Sequence, residues 1–136
     1  MEKSIVAEAV LSNHDVVMEF IEQTLEELDC PMKQSMIISV ASDEWIANIC
    51  GYAYENEPGE FKVVISPTED PKGIRLVFFD QGTPFDPMTR EDPDVNLGID
   101  ERQIGGLGIF MIKKTMDKVD YEYRDGSNIL AMEKYF

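Results

Sequence analysis

Two β-rich runs joined by a turn-like stretch constrain this chain more than any other feature. Glu60–Ser66 and Gly73–Phe79 are dominated by β-branched and aromatic residues, and Pro67–Lys72 between them has the composition of a turn. The two runs are expected to pair antiparallel. A second pair closes the sequence: Val119–Arg124, the turn signal Asp125-Gly126, then Ser127–Phe136. Such hairpins lack the strand-helix alternation of a doubly wound parallel fold.

Helices are expected on either side of the first hairpin. Ser4–Leu11 suits a short opening strand, and Ser12-Asn13 offers caps for a helix in which Val17, Phe20, Ile21, Leu25 and Leu28 recur at helical spacing. After the break at Cys30-Pro31, a second helix is predicted from about Lys33 to Tyr54, with Ile37, Val40, Ala41, Glu44 and Asn48 along one stripe. Gly105–Lys118 reads as a third helix, with Ile109, Ile112 and Met116 on one face. The order β-α-α-β-β-loop-α-β-β predicts a two-layer α/β sandwich, with three helices against a mixed, mostly antiparallel sheet.

A chain of 136 residues fits one domain spanning 1–136, and 43% hydrophobic with 29% charged residues is a globular balance. No apolar run reaches membrane-spanning length and no basic-then-apolar leader opens the sequence, so a cytoplasmic protein is expected. Twelve basic against twenty-seven acidic residues give a net charge of −15, which disfavours direct binding to nucleic acid or anionic lipid. Such acidity maintains solubility or attracts a basic protein. Cys30 and Cys50, with His14 as the sole histidine, do not make a zinc site and read as reduced thiols.

Three constellations carry chemistry. Glu44 and Asn48 lie four apart, one helical turn above the other, and can address one small volume. On a core-directed stripe they need internal partners or a ligand-filled cleft; a small rotation of the helix would instead leave Glu44 exposed. Asn supplies a neutral oxygen for a hard cation such as Mg²⁺, and Glu a proton acceptor. Asp80 ends the apolar run Ile74–Phe79; a carboxylate there can accept from an exocyclic amine such as that of adenine, and Gly82 allows close approach of the backbone to a ring, although Asp-x-Gly is also a common turn. Gly105-Gly106-Leu107-Gly108 opens a helix whose N–H groups and dipole favour phosphate, without the ending of a Walker P-loop. Between the last two lies a long aperiodic stretch, Gln81–Ile104, with Pro84, Pro87 and Pro93.

Glu44-x-x-x-Asn48, Asp80-x-Gly82 and Gly105-Gly106-Leu107-Gly108, in this order around a long loop, resemble the N, G1 and G2 boxes of the GHKL ATPase superfamily. The runs Asn48–Tyr54 and Gly105–Asp117 are most similar to those of anti-sigma-factor serine/threonine kinases, and the resemblance covers essentially the whole chain. It implies a Bergerat ATP-binding fold with Asn48 on Mg²⁺, Asp80 and Gly82 at adenine, Gly105, Gly106, Leu107 and Gly108 at the phosphates, and residues 83–104 as an ATP lid. Glu44 matches the catalytic base. The partners implied are a sigma factor and an anti-anti-sigma antagonist of the STAS type, and the resemblance also implies a homodimer.

The sequence departs from the family pattern in places. Tyr52 replaces a common histidine, Pro84 stands at the later glycine of a fuller G1 box, and Ile104 precedes the glycines, leaving Arg102 as the nearest basic residue to stabilise transferring phosphate. Thr83–Ile104 holds six acidic and two basic residues in its 22 positions, which is unfavourable beside a triphosphate and suits a lid facing a partner. Two other functions fit the same residues. One is a non-catalytic module whose nucleotide only gates protein binding; the other, a detached histidine-kinase catalytic domain, needs a phosphoacceptor histidine elsewhere.

Overall fold

The computed structural model describes residues 2–54, 59–84 and 106–136. Among these, β1 (Lys3–Glu8) is followed by α1 (His14–Glu27) and α2 (Met32–Asn48), then β2 (Glu60–Thr68), β3 (Gly73–Asp80), α3 (Gly106–Thr115), β4 (Lys118–Arg124) and β5 (Ser127–Tyr135). The predicted element order is observed, with the second helix ending earlier than expected. After Asn48 the backbone widens into a π-type turn over Ile49–Ala53.

The five strands form one sheet in the order β1-β2-β3-β5-β4, and every described pairing is antiparallel. Its register runs straight across: Ile5 opposes Val63, Val63 opposes Phe78, Phe78 opposes Leu130, and Leu130 opposes Tyr121. Because side chains alternate between faces, this row and those two residues away point to the same side. Phe61, Val63, Ile65, Ile74, Leu76, Phe78, Leu130 and Met132 are accordingly buried there beneath the helices. The opposite face carries Lys62, Arg75, Asp120, Glu122 and Glu133, with Arg75 bonded to Glu133 at 2.6 Å. Pro67 sits in β2 beyond its last pair with β1, Lys3 with Ile65, where a missing N–H breaks no ladder bond. The β4–β5 turn takes positive φ at both Asp125 (53°) and Gly126 (79°), the geometry that the Asp-Gly signal predicts.

Helix α1 buries Val17, Ile21, Thr24 and Leu25, the expected face with Thr24 added. Helix α2 differs. Its buried residues are Ile38, Ala41, Ser42, Trp45 and Ile46, continued by Ile49, whereas Val40 is 48% exposed and Glu44 is exposed. The predicted stripe is thus one flank away from the true core face. The physical cause is that α2 is apolar on two adjacent flanks, and packing against the sheet selects the one bearing Trp45 and Ile46.

Candidate nucleotide site

Asp80 lies at the end of the central strand β3. As the last residue of β3 it lies on the helix-covered face, and it is only 4% exposed. Across the ladder it opposes Asn128 of β5, which is 3% exposed. Asn128 Nδ2 donates to Asp80 Oδ1 at 2.9 Å, and Gly82 N donates to the same oxygen at 2.9 Å. Oδ2 accepts no hydrogen bond from the described residues. Burial pushes the Asp80 carboxyl above the usual carboxylate range, and the bonds from Asn128 and Gly82 hold it back. One oxygen is therefore fixed by Asn128 and Gly82, and the other takes no donor from the described residues.

Asn128 has its own orientation fixed. The Tyr121 hydroxyl donates to Asn128 Oδ1, so the amide nitrogen faces Asp80 and the carbonyls of Gly82 (3.3 Å) and Thr83 (3.1 Å). None of this was visible in the sequence. Asp80 and Asn128 are 48 positions apart, and Asn128 reads locally as a residue just after a turn.

The end of β3 is also sewn to the end of α2. Thr83 N donates to Ala53 O at 2.7 Å, and Gln81 N donates to the Tyr54 hydroxyl at 2.8 Å, which itself donates to Glu60 O at 2.7 Å. A Cβ on Gly82 would sit 2.6 Å from the Ala53 carbonyl carbon, well inside contact distance. The close approach that the structure shows at Gly82 is to the α2 terminal turn, a contact the sequence did not suggest. By these bonds Asp80 and Gly82 are held beside a turn that begins one residue after Asn48.

On α2, Glu44 and Asn48 keep helical spacing, with Asn48 at φ −64° and ψ −43°. Glu44 is exposed and Asn48 half-buried. Burial therefore does not demand a partner for Glu44, and the rotated placement is the one observed. A single neutral amide oxygen fits a magnesium ion held mainly by phosphate and water. Gly106 opens α3, which packs against α2, and Gly108 lies in its first turn. Arg102, Gly105 and nearly all of the expected lid lie outside the described residues.

A second cluster missed by sequence reasoning lies at the start of α1. His14 Nε2 bonds Asp43 Oδ1, tying the first residue of α1 to the residue before Glu44, and His14 Nδ1 is 3.3 Å from Asp15 Oδ1. Burial lowers the His14 pKa, but the bonds and charges of Asp15 and Asp43 outweigh it and raise the value above its ordinary 6.5.

A family model described as the histidine kinase-like ATPase domain matches residues 7–134. The serine-protein kinase RsbW of Listeria monocytogenes is 35% identical over 103 residues, covering 72% of this chain and 64% of the relative. The serine/threonine-protein kinase BtrW of Bordetella bronchiseptica is 25% identical over 99 residues, covering 72% and 68%. The chain thus spans less than two thirds of the length of the RsbW relative. A crystal structure of RsbU and RsbW domains from Mycobacterium tuberculosis shares the fold, with a TM-score of 0.69 at 15% identity over 99% of this chain and 32% of that one. No described helix is long and apolar enough to cross a membrane. Since the matched span runs from β1 into β5 and takes in α1, α2 and α3, the chain belongs, over nearly its whole length, to the histidine kinase-like ATPase domain family.

Proposed function

We propose that this chain binds ATP with Mg²⁺ in the cytoplasm and transfers the γ-phosphate to a serine or threonine of an anti-anti-sigma protein of the STAS type. It is an anti-sigma regulatory kinase in this reading, holding a sigma factor when the antagonist is phosphorylated. The observation that carries the proposal is the side of α2 that offers an exposed Glu44 one turn before Asn48, joined through the Ala53–Tyr54 turn to the Asp80 strand end. The names of the RsbW and BtrW relatives support the same activity.

Each residue then has a task. Asp80 Oδ2 accepts from the adenine amine, and Gly82 keeps the strand end close to α2. The N–H groups from Gly105 to Gly108 and the N-terminal dipole of α3 take the phosphates. Asn48 provides one oxygen to Mg²⁺, which, when bound, neutralises phosphate charge. Glu44 accepts the proton of the serine or threonine hydroxyl as its oxygen bonds to the γ-phosphorus; the bond from that phosphorus to the β–γ bridging oxygen breaks and ADP departs. Arg102 is assigned to the developing charge on the transferred group.

The test is incubation of the chain with ATP, Mg²⁺ and a purified STAS-type antagonist from the same genome, followed by mass spectrometry of the antagonist. Phosphate on one serine or threonine is expected. An unmodified antagonist that nevertheless binds in a nucleotide-dependent way would replace the kinase by a nucleotide-gated binding module.

A further inference from the structure

Helix α2 leaves a row of large apolar side chains uncovered. Met32 is 80% exposed, Met36 64% and Val40 48%, each four residues after the last, and the next position in the row is the exposed Glu44. Residues four apart form a continuous ridge along a helix, so the row leads directly to the candidate base over about 18 Å. Exposed apolar residues scattered singly carry no meaning, but three in one ridge form a patch. Methionines suit such a surface because their unbranched side chains adapt to a partner.

Beside Val40 a groove separates α1 from α2. Met18 and Val40 line it together with Asp15, Glu22 and Asp43. Across the two helices there are seven acidic residues and one lysine, Lys33 in the first turn of α2. His14 lies within the groove, bonded to both Asp43 and Asp15, and Glu22 and the fully exposed carboxylate of Asp15 remain open to the cationic groups of a partner.

We infer that the Met32–Met36–Val40 ridge and the adjoining acidic groove are the docking track for the protein that receives phosphate. The occupant is a protein segment with apolar side chains along one side and lysine or arginine along the other. Apolar groups pack on the ridge, basic groups face Asp15 and Glu22, and the phosphoacceptor hydroxyl is delivered at the end where Glu44 stands. Charge complementarity and continuity with Glu44 select this partner over a second copy of the chain, whose own α1 and α2 are acidic. The inference rests on the kinase reading for the identity of the occupant.

Docking is tested with the full chain and a purified STAS-type antagonist, by calorimetric affinity and phosphotransfer kinetics on wild type, Met36→Lys, Val40→Lys and Glu22→Lys. The sites are exposed, so the fold tolerates the changes; ADP affinity serves as the control. Met36→Lys and Val40→Lys are expected to raise KM and Kd for the antagonist by about tenfold or more, with kcat and ADP affinity within about twofold. Glu22→Lys is expected to weaken docking and flatten its salt dependence. Unchanged KM and Kd in both ridge variants overturn the inference, as does a dimeric wild type that the ridge variants convert to monomer. Antagonist binding without phosphotransfer refutes the kinase reading alone, and the Kd series then decides the track. Absence of antagonist binding by wild type overturns the docking track even if ATP is bound.

Discussion

Asn128 Nδ2 lies 2.9 Å from Asp80 Oδ1, and the two residues face each other across β3 and β5. The pair closes the helix-covered face of the sheet at its site end. It explains how a carboxylate only 4% exposed keeps one oxygen in place. Replacing Asn128 by Ala removes that donor and leaves the Tyr121 hydroxyl without its bond to Asn128 Oδ1. A stability loss of about 1–3 kcal/mol is expected in urea denaturation, together with weaker ATP binding by calorimetry.

Gly82→Ala places a methyl group against the Ala53 carbonyl, which is backbone and cannot swing aside. Relief requires loss of the Thr83 N bond to Ala53 O or of the Gly82 N bond to Asp80. Overpacking of this kind costs about 1–3 kcal/mol. The expected outcome is a lower denaturation midpoint and an ATP affinity reduced by about tenfold or more, since roughly 1.4 kcal/mol lost at the site is tenfold.

Ser42 is fully buried on the core face of α2, and its Oγ has no hydrogen-bond partner among the described residues. A hydroxyl desolvated without compensation is costly, so Ser42→Ala is expected to be neutral or to stabilise by about 1 kcal/mol, measured as a shift in urea midpoint at constant slope.

His14 gives stability a pH dependence whose sign is fixed. Its folded pKa is raised above 6.5, so the protonated ring binds the folded state more favourably than the unfolded one. The stabilisation is fully present below about pH 6.5 and disappears as pH rises through the raised value. Wild type and His14→Ala are therefore expected to differ in Tm at acidic pH and to converge as the pH is increased, as read from paired thermal melts across that window.

The hairpins and element order were legible because β-branched runs and an Asp-Gly turn act locally, and both turn residues do take positive φ. Asp80 was legible as a strand-end carboxylate. The facing of α2 was not, because Met36, Ile37, Val40 and Ala41 make one apolar flank while Ile38, Ala41, Trp45 and Ile46 make another, and only the sheet chooses between them. The residues that hold Asp80 were hidden for a different reason. Asn128 reaches it through strand register, Tyr121 orients Asn128, and Tyr54 at a helix-end turn bonds the neighbouring Gln81 N; no local spacing encodes contacts 48 or 27 positions apart.

The assignment of Glu44 to the proton, with Asn48 and Asp80 as binding groups only, is checked by single-turnover transfer from γ-labelled ATP to the antagonist. Wild type, Glu44→Gln and Asn48→Ala are compared, with ATP affinity measured in parallel with and without Mg²⁺. Glu44→Gln is expected to bind ATP as wild type does and to transfer phosphate at least about a hundredfold more slowly, in line with the loss of a general base. Asn48→Ala is predicted to lose the Mg²⁺-dependent part of binding. Transfer by Glu44→Gln at the wild-type rate would remove Glu44 as the base.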